Sequence, residues 1–328
     1  PTSDVVMSVS SSDTAETTVN PSSITFTSAD WDTPQTVTVT GADEQIVDGD
    51  QVTAITISVL DTASDDNFDD LADQTVSATT TDDDVAGFTI VETDGSTEVD
   101  ESGTTDTFTV VLDAEPTSDV VLTISSDDTG EATVPASVTF TSADWDTPQT
   151  VTVTGVDDDI IDGTITSTIT VAVDAANSDD NFDSVADETV SATTTDDDVA
   201  GFTIVETDGS TEVDESGTTD TFTIVLDAEP TEDVVLSVTS GDETEVTVNP
   251  GSITFTNENW DTPQTITTIG IDDVGIIDGS QSSDITVAIV QEASDDNFDS
   301  VADQTVNATT TDDDVPGFTI VETDGSTE

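Results

Sequence analysis

Residues 193–212 read TTTDDDVAGFTIVETDGSTE. The same stretch occupies 79–98, and 309–328 repeats it with Pro316 in place of an alanine. Each time, a Thr-rich alternating run meets three aspartates, and a new strand-like segment starts at once, at Gly87-Phe88, Gly201-Phe202 and Gly317-Phe318. A fixed seam of this kind is the mark of a repeat array. Gly87 and Gly201 are 114 residues apart, Gly201 and Gly317 116. The block WDTPQT returns at the same spacing, from Trp31, Trp145 and Trp260. A repeat of that length is the size of one β-sandwich.

The opening PTSDVV at Pro1 matches the segments from Pro116 and Pro230. Repeat 1 (1–86) therefore lacks its first two strands. Repeats 2 (87–200) and 3 (201–316) are complete, and 317–328 supplies the first strand of a fourth. This phase leads us to expect a window cut from a longer covalent array. Completion by strand addition from a neighbouring subunit is the rival arrangement, and the lack of a donor for the second missing strand counts against it.

In repeat 2 the expected strands are A (88–92), B (107–113), C (120–126), D (137–141), E (149–154), F (166–174) and G (189–195). Val and Ile alternate with Thr in them, which is a strand pattern with one buried face. Seven short strands and no helical period give an all-β chain of tandem immunoglobulin-like, seven-stranded sandwiches. The seam DDDVAGF carries no flexible linker, so the sandwiches are expected end to end as a stiff rod.

Composition removes most chemistry. The chain has 328 residues, no Lys, Arg, His or Cys, and a formal charge of −75. Ser-His-Asp triads, thiol nucleophiles, Schiff bases and nitrogen or sulfur metal sites are absent. Nucleic acid and anionic membranes are disfavoured as partners, and no apolar run spans a membrane. Self-repulsion of this size opposes folding at low salt and fades when the Debye length falls to ~3 Å near 1 M salt. The setting expected is extracellular or on a cell surface, salty or rich in calcium.

In a seven-strand sandwich the AB, CD and EF loops meet the end of strand G at one pole. In repeat 2 these carry Asp100 and Glu101; Asp127, Asp128 and Glu131; the GVDDDIIDG loop with Asp157, Asp158, Asp159 and Asp162; and Asp196, Asp197 and Asp198. Convergent carboxylates without other ligand types suit Ca²⁺, which accepts 6–8 oxygens, better than Mg²⁺. A solvated acidic turn is the plainer alternative.

TVTVTGVDDDIIDG, the closing DDD and the early VDESG turn resemble the Calx-beta domain, over the whole of each repeat. The resemblance implies calcium at the acidic pole, held by an AB-loop Glu, a CD-loop Asp, the EF-loop acids and the terminal aspartates. Carried over, the ligands are Glu101, Asp128, Asp157, Asp158, Asp162, Asp196, Asp197 and Asp198 in repeat 2. In repeat 3 they are Glu215, Asp242, Asp272, Asp273, Asp278, Asp312, Asp313 and Asp314. In repeat 1 they are Asp13, Asp43, Glu44, Asp48, Asp82, Asp83 and Asp84, with no AB-loop Glu. Repeat 3 departs by one inserted residue at Val274-Gly275.

The FG loop SDDNFD, from Ser64, Ser178 and Ser294, alternates polar ligands but lacks the glycine and glutamate of an EF-hand. A polar loop with its Phe in the core is preferred to a second calcium site. The tryptophans read as packing anchors rather than sugar platforms. One glycosylation sequon stands at Asn307.

The reading that results is a non-enzymatic structural array of an extracellular filament or adhesin stalk, stiffened by Ca²⁺ at inter-repeat junctions. Its partners are further copies of the same repeat. The alternative is a Ca²⁺-dependent module that binds cell-surface or matrix carbohydrate.

Overall fold

Strand Thr219–Leu226 places Phe222, Ile224 and Leu226 inward, with polar or half-buried residues between them. Opposite it, strand Gln264–Gly270 sets Ile266 directly across from Phe222. Such pairs fix the register, because a slip of one residue would turn the whole apolar set to solvent. The computed structural model describes residues 1–321 and 323, and its ordered segments are strands with a few single-turn 3₁₀ helices.

Repeat 3 is a two-sheet sandwich. One sheet runs Phe202–Glu206, Thr219–Leu226, Gln264–Gly270, Val246–Asn249. The other runs Thr211–Asp214, Gln304–Thr311, Gln281–Ile289, Val234–Ser240, Ser252–Phe255. Their inner faces enclose one core that includes Phe202, Phe222, Phe255 and Phe298. Repeat 2 has the same two sheets around Phe88, Phe108, Phe140 and Phe182. The chain is thus all-β, in immunoglobulin-like sandwiches, as the alternation predicts.

The strands of repeat 2 match the expected ones to within two residues, but two more are present. The segment after strand A turns at Thr-Asp-Gly, where Asp208 has φ 59° and Gly209 φ 86°. Asp is among the few residues that tolerate this left-handed conformation. The chain then crosses to the other sheet, where Thr211–Asp214 pairs in parallel with Gln304–Thr311. Thr211 Oγ1 donates to Glu206 Oε2 across the corner, 2.8 Å away. Thr97–Asp100 makes the same crossing in repeat 2. With two apolar positions at most, this strand is too short to show a period. A second short strand, Val246–Asn249 or Ala132–Thr133, closes the edge beside strand E.

In repeat 1 the sheet Ser23–Phe26, Val5–Ser11, Gln51–Val59, Gln74–Thr80 accompanies only a two-stranded ribbon, Thr17–Asn20 with Thr38–Gly41. Val39, Val52 and Val76 stay exposed. Trp31 is 62 % exposed, whereas Trp145 and Trp260 pack against the cores of their repeats. Gly317–Val321 forms no strand, and Phe318, Ile320 and Val321 are exposed. Its counterpart Phe202 owes its place to Leu226 on the neighbouring strand, and a single strand without a ladder partner does not form. Glu322 and 324–328 of that expected strand lie outside the described residues.

By contacts the chain forms two compact units. One is Pro1–Val99, Gly103–Val156 and Thr166–Thr194; the other is Asp100–Ser102, Asp157–Ile165 and Thr195–Glu328. The EF loop of repeat 2 therefore groups with repeat 3. Among the described residues no helix is long and apolar enough to cross a membrane.

Candidate metal centre

The acidic pole of repeat 3 is assembled from four places in the chain. Glu215 follows strand Thr211–Asp214, and its backbone N–H donates to Thr311 O at the end of strand G, 3.1 Å away. Glu245 stands at the start of strand Val246–Asn249, where Ile271 N–H bonds its carbonyl. Asp273 and Asp278 lie in the EF loop, and Asp312 to Asp314 follow strand G. Carboxylate oxygens of Glu215, Asp273 and Asp314 lie within 4.8 Å of one another, and so do those of Glu245, Asp273 and Asp278. Asp273 belongs to both groups.

Glu215 is 0 % exposed, and neither of its oxygens has a hydrogen-bond partner. Glu245 Oε2 and Asp273 Oδ1 are also buried without one. Burial, with Asp273, Asp312, Glu245 and Asp278 around it, pushes Glu215 up to about 7. Burial followed by like charges likewise raises Glu245 and Asp273. A buried carboxylate without a partner is among the costliest groups in a fold. This chain has no Lys, Arg or His to answer it.

The other poles carry related groups. In repeat 1, Glu16, Glu44 and Asp48 converge within 4.8 Å, at a cavity of about 20 Å³ lined also by Asp43, Asp82, Asp83 and Asp84. That is room for roughly one water-sized occupant. Burial raises Glu44 and Asp84 there. Glu101 converges with Asp196 and Asp198. Burial, then Asp196, Asp159, Asp197 and Asp158, pushes Asp198 up to about 6.

The three aspartates of each seam divide the work. The first shapes the EF loop: Asp312 Oδ2 accepts from Gly279 N–H at 2.8 Å and its Oδ1 from Asp314 N–H at 2.9 Å. Asp196 does the same for Gly163 and Asp198, at 2.7 and 2.8 Å. Asp82 takes Gly49 and Asp84, at 2.6 and 2.9 Å. The middle residues, Asp83, Asp197 and Asp313, are exposed. The third residue, Asp198 or Asp314, joins the converging oxygens.

The CD-loop aspartates stand apart from these groups. Asp13, Asp128 and Asp242 each turn one oxygen onto the N–H two residues on, at 2.9, 3.0 and 2.9 Å. The buried acid of that loop is the glutamate three residues later, Glu16, Glu131 or Glu245. The ligand set carried over by resemblance contains none of these three. The signal was present in sequence: each Glu immediately precedes the first residues of a strand. Asp158 and Asp272 also cap their own loop, onto Ile160 and Val274 N–H. Asp157 and Asp162 are exposed, as is Asp278.

The FG aspartates are turn caps. Asp295 accepts from Thr231 N–H and Oγ1, Glu232 N–H and Asn297 N–H at 2.7–2.9 Å. Asp179 and Asp65 occupy the same role. Phe182 and Phe298 are fully buried.

Comparison with known proteins found no matching family model and no matching curated protein. Solved structures that resemble it include surface layer protein SbsC, domains 4–9, at 17 % identity and a TM-score of 0.28. That match covers 93 % of this chain and 39 % of the other, so the chain spans about two fifths of that relative. CBD12 from CALX1.2 matches at 14 % identity and TM-score 0.28, over 67 % of this chain and 99 % of that one. The calcium binding domain CBD12 of CALX1.1 matches at 14 % and 0.27, over 61 % and 80 %.

An all-oxygen donor set of five carboxylates, with buried oxygens lacking partners among the described residues, fits a hard cation of flexible coordination such as Ca²⁺. Glu215, Glu245, Asp273, Asp278 and Asp314 would hold it in repeat 3.

Proposed function

We propose that this chain is a segment of a non-enzymatic structural array, of the kind that builds an extracellular filament or an adhesin stalk, and that its acidic poles bind Ca²⁺. The observation that carries the cation reading is Glu215, fully buried with two oxygens that no hydrogen bond from the described residues satisfies. Desolvated acids converging on one point are stabilised by a divalent cation far better than by screening. Near-identical consecutive sandwiches support the structural role, because a spacer needs the same unit repeated.

Calcium here binds folded chain and not unfolded chain, so it raises stability by mass action, about 2.7 kcal/mol per site at a hundredfold excess over Kd. The same loops that hold the ion touch the next repeat, which makes the junction the place where stiffness would follow the ion. The test is thermal unfolding by circular dichroism in EDTA, in CaCl₂, and in EDTA with NaCl near ~1 M. Calcium should raise the midpoint well above the NaCl value. If NaCl alone restores it fully and calcium adds nothing, the acids need only screening and the proposal fails.

A further inference from the structure

The block WDTPQT stands in every repeat, and the acidic poles make no use of it. In repeat 2 it leads from strand Ser137–Phe140, the last strand of its sheet, to strand Gln149–Gly155 of the facing sheet. A strand at the end of a sheet turns the N–H and C=O of every second residue outward, away from any ladder. Ile124 N–H donates to Ala136 O at 2.9 Å, and the same register sets Leu122 opposite Val138 and Val120 opposite Phe140. By alternation the outward residues are Ser137, Thr139 and, just past the strand, Thr141.

Two of those outward groups are taken by side chains at the two ends of the segment 144–149. Gln149 Nε2 donates to Thr139 O at 2.7 Å, and Thr141 N–H donates to Asp144 Oδ1 at 2.6 Å. In repeat 3, Gln264 Nε2 donates to Thr254 O at 2.8 Å and Thr256 N–H to Asn259 Oδ1 at 2.6 Å. In repeat 1, Gln35 Nε2 donates to Thr25 O at 2.5 Å and Thr27 N–H to Asp30 Oδ1 at 2.6 Å. Asn259 does what Asp144 and Asp30 do, so the position requires an acceptor and not a charge. Trp145 and Trp260 pack the segment onto the cores of their repeats. Their carbonyls accept from Leu112 and Leu226 N–H, both at 3.1 Å.

We propose that this segment is an edge guard: Gln149 and Asp144, with their counterparts Gln264 and Asn259, hold the bonds through which a second copy of this chain would otherwise add a strand to the sheet. An added strand, parallel or antiparallel, needs both the Thr139 carbonyl and the Thr141 N–H. The same short β-branched edge recurs in each repeat, so identical copies carry many matching edges, which is the condition for side-by-side pairing. Charge repulsion keeps copies apart only while it is unscreened. The guard acts where salt or bound cation has removed that repulsion, and it does not depend on which cation the poles hold.

The test is sedimentation velocity of the whole chain over a wide concentration range with NaCl near ~1 M. The variant carries Gln35→Met, Gln149→Met and Gln264→Met, which keep the length of each side chain and remove its donor. It should associate at least about tenfold more strongly than the wild type. Hydrogen exchange in the larger species should slow at 137–141 and 252–256. Thr139→Pro and Thr254→Pro, added to the variant, should abolish the association, because proline at an outward edge position spares the internal ladder and blocks an incoming strand. A variant that melts lower than the wild type but sediments like it at every concentration overturns the proposal, since the glutamines then only tie one sheet to the other. Association that survives the two prolines also overturns it. Each single Gln→Met substitution is read in the same way, so that a triple variant too weakened to fold still leaves three decisive readings.

Discussion

The side-chain amide of Asn297 donates to the backbone carbonyl of Ile161, 2.8 Å away and 136 residues earlier. Ile161 lies in the EF loop of repeat 2, one residue before Asp162, and Asn297 lies in the FG turn of repeat 3. This contact, beside the Glu229 N–H bond to Asp159 O, connects an acidic loop to the repeat that follows. Removing it leaves a carbonyl to water and costs about 0.5–1.5 kcal/mol. Asn297→Ala should speed amide exchange in residues 157–163 and leave strand Thr219–Leu226 as protected as before. Hydrogen-exchange mass spectrometry reads both peptides in one run, and equal protection of the loop in both proteins would remove the contact's role.

Glu215→Gln separates a ligand from an ordinary buried acid. The substitution keeps shape and removes charge, so in EDTA above pH 7 the variant should unfold at a higher temperature than the wild type. In calcium the order should reverse, with affinity at the repeat 3 pole lowered by at least about tenfold. Calorimetric titration and paired melting curves check the two halves. An equal gain from calcium in both proteins would show that Glu215 is not a ligand.

Stability in EDTA should depend on pH with a definite sign. Glu215 rises from an ordinary 4.5 to about 7 on folding, and Asp198 from 3.8 to about 6. Between those limits these two groups hold more protons in the folded chain than in the unfolded one, so their contribution to stability falls as pH rises from about 4 to about 7. Calcium must displace those protons, so its affinity should rise over the same range. Urea midpoints at several pH values, with and without calcium, test this; an EDTA midpoint that climbs from pH 4 to 7 would contradict it.

Asp295 gives the complementary case. It is buried and accepts four hydrogen bonds within its own repeat. Asp295→Ala strands those donors, at a cost of about 1–3 kcal/mol or more, yet should leave the number of calcium ions bound per chain unchanged. A lost binding event would restore the FG loop as a metal site.

How much of this was legible beforehand differs from residue to residue. Val and Ile alternating with Thr fix strands B to G, because a period of two along a half-buried sheet is a local property. The repeat length sets the size of one unit, and the chain's want of any positive side chain sets the sign of the charge at the poles. The crossing strand Thr211–Asp214 escaped because its partner, Gln304–Thr311, lies some ninety residues away, and no four-residue pattern announces a parallel pairing. The acids show the same limit. Loop order, with the resemblance to the Calx-beta domain, led us to expect Glu215, Asp273, Asp278 and Asp314 at one pole, but it could not tell Asp242, which turns its oxygen back onto Thr244 N–H, from Glu245, which is carried inward by the strand it precedes. Composition and period determined the fold and the negative charge at its poles. Only tertiary structure decided which carboxylates share a point and which loop tip reaches the next repeat, because burial and convergence depend on where distant strands end.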